Sequence, residues 1–285
     1  MSTLTKPANA TPTAPPRAVR ARLSFPHLVR SEWIKLWTVR STYWILPLTI
    51  IAFVGVAWMT AHFTSSEAAQ SDGAPVVDAS IIVQSGMYLA QLALVVLAVL
   101  TVTGEYSTGM IRATFAAAPT RLPVLWAKAL VLAVVTFVTG VVAIGITYLV
   151  TTWVLGSDDA IDLANAENQR ILLGAVLYMT AIALFAFALG ALMRHSAAAL
   201  ATVLGLLVVV QLVFQAVPAQ FFRTVSPFLP GTAGSQIMQS EMFLEMQRQI
   251  PNSPFLTPWQ GFGVLLAWTA VFLVAAMVLV RRRDA

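Results

Sequence analysis

The sequence predicts an all-α, polytopic membrane protein: six transmembrane helices behind an N-terminal amphipathic elbow helix, with both termini cytoplasmic. Three observations predict it. Of the 285 residues, 58% are hydrophobic and only 10% charged, against roughly 45–50% and ~25% in an average soluble domain. Six charge-free runs, at 42–61, 86–103, 129–153, 171–193, 197–217 and 259–280, approach or exceed the ~20 apolar residues that carry a helix across the hydrocarbon core. The few Lys and Arg lie mostly on one side of those runs.

That asymmetry sets the orientation. With the N-terminus inside, 14 Lys and Arg are cytoplasmic, and only Arg170, Arg223 and Arg248 are outside. Nine acids fall outside and three inside, so the overall +5 resolves into +11 on one side and −6 on the other. Cytoplasmic loops of membrane proteins carry such an excess of Lys and Arg. The charge is therefore a topology signal, and no nucleic acid partner is expected. With no Cys in the chain, disulfide and zinc-thiolate chemistry are excluded.

Residues 1–22, rich in Ala, Thr, Pro and Arg without apolar period, predict a disordered basic tail. At 23–41 the pattern becomes amphipathic. Phe25, Leu28, Val29, Trp33, Leu36 and Trp37 share a broad face, and Arg30, Ser31 and Lys35 lie opposite. Trp33, Lys35 and Trp37 directly before a span suit a helix lying in the interface, as a partner-contacting elbow or as a plain anchor. Glu32 and Arg40 intrude on the apolar arc. The six-helix domain then occupies 42–283, with Pro47 in its first span, where a membrane helix tolerates it.

Between the second and third spans, Ser107 or Thr108 can cap a short helix that Pro119 stops. It presents Met110, Ile111, Arg112 and Phe115, groups suited to a partner's groove, with a solvated connector as the alternative. The stretch 218–258 is too long for an idle connection. It predicts an external excursion with a helix over 233–250 that ends before Pro251. On that helix Met238, Met242 and Met246 share one face. Without Cys or His nearby they read as a packing face rather than a copper site.

None of the charged residues lies within the apolar runs, so an ion-coupled mechanism has no intramembrane group to work through. Neither a catalytic constellation nor a metal-ligand spacing appears, and the chain is not expected to be an enzyme. A phosphate loop needs Gly-x-x-x-x-Gly before its Lys; Lys6, Lys35 and Lys128 all lack it. Any uphill movement must be driven from another polypeptide. The notable intramembrane polar groups are amides: Gln91, with Gln211 and Gln215 at a similar outer depth. They line a possible substrate path or form interhelical hydrogen bonds. Ala186/Gly190 and Ala201/Gly205 permit close helix contact but specify nothing.

Three stretches carry a family resemblance: 28–41, centred on Ser31-Glu32-Trp33-Ile34-Lys35-Leu36-Trp37; 104–114, opening Gly104-Glu105-Tyr106-Ser107-Thr108-Gly109; and Leu229-Pro230-Gly231-Thr232-Ala233-Gly234. With the order of parts, they resemble the permease subunit of bacterial type 2 ABC exporters over about 23–283. The resemblance implies a permease in the bacterial plasma membrane. It implies two copies of a separate ABC ATPase subunit carrying ATP and Mg, and a second permease copy or homologue. This chain itself would hold no cofactor. The segment near 108–119 would be the coupling helix, Glu105 an acidic position pairing with a basic group of the elbow or loop, and the second and fifth helices the lining of the path. A passive channel or a scaffold without an ATPase is the alternative reading, and the substrate is not specified.

Overall fold

The computed structural model describes residues 24–70, 78–111, 114, 122–155, 161–217, 219–251 and 253–283. Among them every regular element is helical. Helix α1 (Phe25–Thr38) is followed after a single extended residue, Val39 at ψ 119°, by α2 (Arg40–Gln70). Then come α3 (Ala79–Ser107), α4 (Leu122–Leu155), α5 (Ala166–Met193) and α6 (Ser196–Ala216). Short helices α7 (Gln220–Val225), α8 (Pro230–Ser235) and α9 (Glu241–Arg248) precede the last long helix, α10 (Pro258–Arg283). Six of these are long and apolar enough to cross a membrane: α2 to α6 and α10. They coincide with the six apolar runs of the sequence. The basic tail expected at 1–22 lies outside the described residues, as do Arg112, Phe115 and most of 108–119.

Caps at the helix starts explain several boundaries. The Asp78 carboxylate accepts from Ser80 N at 2.7 Å and the Asn165 side chain from Glu167 N at 2.8 Å, each satisfying an orphan donor of the first turn. Between α5 and α6 the chain reverses through Arg194 in the left-handed region (φ 60°). Within the spans, hydroxyls of Thr103, Thr136, Thr139, Thr151 and Thr269 donate to the carbonyl four residues back at 2.8–2.9 Å. Hydrocarbon offers these hydroxyls no partner, so the helix backbone supplies one.

Helix α5 is the centre of the bundle. Its most apolar window is 72% buried, and it packs on α3, α4, α6 and α10. Phe185, Phe187, Met179 and Ile182 are fully covered there. Gly190 of α5 lets α3 approach so closely that an added Cβ would meet Val102 at 2.8 Å, whereas Gly205 has nothing within 4 Å. Of the two small-residue pairs, only Ala186/Gly190 makes a tight contact among the described residues. Helix α6 is the least buried of the six, with 17% of its most apolar window buried. It also contains a π-helical turn, Gly205–Val209.

The excursion after α6 departs from the expected single helix over 233–250. Pro230 starts α8, a 3₁₀ turn follows at Gln236–Met238, the chain extends at Gln239 and Ser240, and only then does α9 begin. The break turns 230–238 back into the bundle: Pro230, Gly231, Ala233, Gly234, Ile237 and Met238 are buried, packed on α5 and α10. Gly174 of α5 admits this segment, since a Cβ there would stand 2.9 Å from Ile237 O. The expected Met stripe does not form. Met238 is 1% exposed, but Met242 is 69% and Met246 56% exposed, because the extended residues change the helix phase between them.

Candidate functional site: a buried ion ring at the α1 end

At the end of the bundle that carries α1, four charged side chains from three helices close a ring. Lys35 Nζ of α1 donates to Glu32 Oε1 at 2.7 Å and to Glu105 Oε1 of α3 at 3.1 Å. Lys128 Nζ of α4 donates to Glu32 Oε2 at 2.5 Å and to the same Glu105 Oε1 at 2.9 Å. Glu32, Glu105 and Lys128 are about 5% exposed, and Lys35 is the one member open to solvent at 27%. Ions so far from water persist only when paired. Here each ammonium bridges both carboxylates, and the ring sums to zero charge.

The three helices explain how these groups meet. The i, i+3 spacing of Glu32 and Lys35 puts both on one side of α1. Glu105 stands on the last turn of α3, where Gly109, at φ 73°, turns the chain away. Lys128 follows the start of α4 by six residues, on the face that meets α1. The ring also reaches the next connection, because Lys35 Nζ donates to Thr114 Oγ1 at 3.3 Å. Burial draws the Lys35 ammonium down in pKa. The hydrogen bond and charge of Glu32, followed by those of Glu105, outweigh burial and hold it above its ordinary value.

The sequence points to Lys35 and Glu105 but not to their partners. Glu32 stands out there only as an intrusion on the apolar arc of the elbow, and that intrusion is its signal: a carboxylate on a buried face needs a cation. Lys128 falls in a loop when the third span is counted from the apolar run at residue 129. The helix begins seven residues earlier, so Lys128 and Glu105 both lie within helices long and apolar enough to span. Both stand just beyond the apolar runs, at the ends of those helices.

Trp33 and Trp37 lie one turn apart with ring centroids at 5.9 Å. Trp33 is exposed, and Trp37 packs on the core and on Tyr43. Met110 is exposed and Ile111 half-buried, both helical. Beside the ring, a cavity of about 650 Å³ opens between α1, α3 and α4, lined by Glu32, Lys35, Glu105, Lys128 and mainly apolar neighbours.

The amides are divided. Gln91 is buried and accepts a hydrogen bond from Tyr178 Oη at 3.1 Å. Gln91 and Gln211 line one small cavity, about 20 Å³, together with Gln84 and Tyr178. Gln211 Oε1 would be 2.8 Å from a Cβ on Gly231, so the inturned segment lies close against Gln211. Gln215 is exposed on α6 and outside it. At the same end of the bundle, Gln84 and Gln239 exchange amide hydrogen bonds at 3.3 and 3.1 Å. Arg170 donates to Ile237 O at 3.1 Å and pairs with Glu241 at 3.2 Å. These contacts fasten 237–241 to α3 and α5.

A comparison with curated proteins returned no match. A comparison with protein families matched residues 27–285, which take in most of α1, all six spans and the inturned segment, to the ABC-2 family transporter protein. On that match, together with the six-span helical fold, the chain belongs to the ABC-2 transporter family as a multi-pass membrane component of an ABC transporter.

Proposed function

We infer that this chain is the permease of a bacterial plasma-membrane exporter powered by a separate ABC ATPase, working as two permeases with two ATPase copies. Both termini face the cytoplasm in this reading, which makes the α1 end the ATPase end. The observation that carries it is the ion ring. It binds the elbow α1, the end of α3, Thr114 of the α3–α4 connection and the start of α4 into one unit. A force applied at Met110, Ile111, Arg112 or Phe115 then enters α1 and two spans together.

In this mechanism, ATP closes the two ATPase subunits, their closure moves the segment 108–119 and α1, and the ring carries that displacement into α3 and α4. Glu105 is the member on α3, the helix that also carries Gln84 near its other end and Gln91 near its middle. Movement of α3 therefore strains the contacts to Gln239 and Tyr178 and opens the far end of the bundle. Gln91 and Gln211 border the path that opens, and Gln215 faces the second permease or the path mouth. ATP and Mg act on the partner, and this chain contributes no nucleotide-binding group.

Affinity purification of the tagged chain from its native membrane tests the reading. A polypeptide with Gly-x-x-x-x-Gly-Lys-Ser/Thr that co-purifies and hydrolyses ATP supports it. Recovery of the chain without any such partner, in a form that still conducts solute, favours a passive channel instead.

A further inference from the structure

The ring forms one wall of the 650 Å³ cavity, and most of the remaining wall is hydrocarbon: Leu36 and Val39 at the end of α1, Leu97 and Leu100 of α3, and Val131 of α4. Leu100 and Leu97 precede the end of α3 by seven and ten residues, so the apolar wall extends roughly 10–15 Å into the bundle at 1.5 Å per residue. The volume falls within the 300–1,000 Å³ typical of small-molecule sites. A space with one polar wall, at the level where a span ends, and one apolar wall running inward has the shape of an amphiphile.

The ring's chemistry narrows the headgroup. Two carboxylates and two ammoniums cancel, so an ionic headgroup meets its own sign as closely as the opposite one. Lys128 Nζ makes two hydrogen bonds, to Glu32 and Glu105, and has a third proton to donate. Glu105 Oε2 is buried without a partner. A spare donor and a spare acceptor on adjoining side chains match a hydroxyl, which accepts and donates at once and leaves the charge balance intact.

We propose that this cavity binds an uncharged, hydroxyl-headed amphiphile of the diacylglycerol or glycosyl-diacylglycerol class, its headgroup at the Glu105–Lys128 wall and a chain against Leu97 and Leu100. The test of this site reads binding rather than transport. The chemistry fits either a resident leaflet lipid or transported cargo.

The test uses the full chain in nanodiscs of mixed phosphatidylglycerol and phosphatidylethanolamine containing a minor fraction of diacylglycerol or glucosyl-diacylglycerol. Native mass spectrometry counts what each chain retains. The expected result is preferential retention of the neutral amphiphile, falling about tenfold, or 1.4 kcal/mol, in Leu100→Trp, which fills the cavity. Val39→Trp, at a half-exposed position with little risk to folding, should also weaken retention. With the partner ATPase present, retention unchanged by ATP identifies a resident lipid and loss on ATP identifies cargo; both support the site. No retained amphiphile, equal retention in both Trp variants and the wild type, or preference for phosphatidylglycerol overturns it.

Discussion

Lys128 and Glu32 stand 96 positions apart in the chain, yet the Lys128 ammonium meets the Glu32 carboxylate at 2.5 Å in the buried interior between α4 and α1. That contact fixes α1 to α4, as the Lys35–Glu105 pair fixes it to α3. Removing one member leaves a buried charge uncompensated, which typically costs about 3–5 kcal/mol. Lys128→Met should therefore lower the thermal unfolding temperature of detergent-purified protein strongly. The double variant Lys128→Met/Glu32→Gln should recover much of the loss. Equal losses in the single and double variants would show that the ring does not act as a unit.

Lys35 gives the ring a defined pH range. Its pKa is raised in the folded protein, so its stabilising contribution is complete below its ordinary 10.5 and is lost as pH rises through the higher folded value. The difference in unfolding temperature between the wild type and Lys35→Gln should stay constant from about pH 7 to 10 and shrink above that. A difference that disappears near neutrality would contradict the assignment.

Tyr178 and Gln91 form an amide–phenol contact deep in the bundle. Interhelical bonds of this kind contribute about 0.6–1.7 kcal/mol, so Gln91→Leu and Gln211→Leu should leave the folded fraction nearly unchanged. If these amides border the exported substrate's path, export should change in both variants. Unchanged export in the double variant would leave the amides a packing role alone.

Arg170 fastens the inturned segment through Ile237 O and Glu241. Arg170→Gln should loosen 237–251 and raise the rate of limited proteolysis near α9, with the six spans still folded by circular dichroism. Identical proteolysis would show that Gln84 and the buried 230–238 backbone hold the segment without Arg170.

Six spans are legible in the sequence because a charge-free apolar run of about 20 residues is stable as a helix inside the hydrocarbon core. The span ends are less legible, because charge-free runs end at the first ionisable residue while helices continue beyond it. Lys128 thus reads as a loop residue although α4 begins at Leu122. Glu105 and Lys35 are visible as candidates from local motifs, whereas Glu32 and Lys128 acquire meaning only when α1, α3 and α4 come together. The helix expected over 233–250 fails for a different reason. Its composition suits a helix, but burial of Ile237 and Met238 against Gly174 and α10 favours a break at Gln239 and Ser240 that local propensity does not encode. Gln91 and Gln211 line one cavity, while Gln215, one turn further along α6, lies outside it.

In the proposed mechanism the ring transmits ATP-driven movement from the α1 end to the far end of the bundle. The absence of native Cys makes a direct measurement possible. Ser235→Cys, on the wall of the small cavity shared by Gln91 and Gln211, is reacted with an impermeant maleimide in the complex with its ATPase, with and without ATP. Labelling should be faster with ATP, and that acceleration should be lost when Glu105→Gln and Lys128→Met together leave only the Glu32–Lys35 pair within α1, in a protein that still folds and still binds the ATPase. Labelling indifferent to ATP, or an ATP response that survives both substitutions, would contradict transmission through the ring.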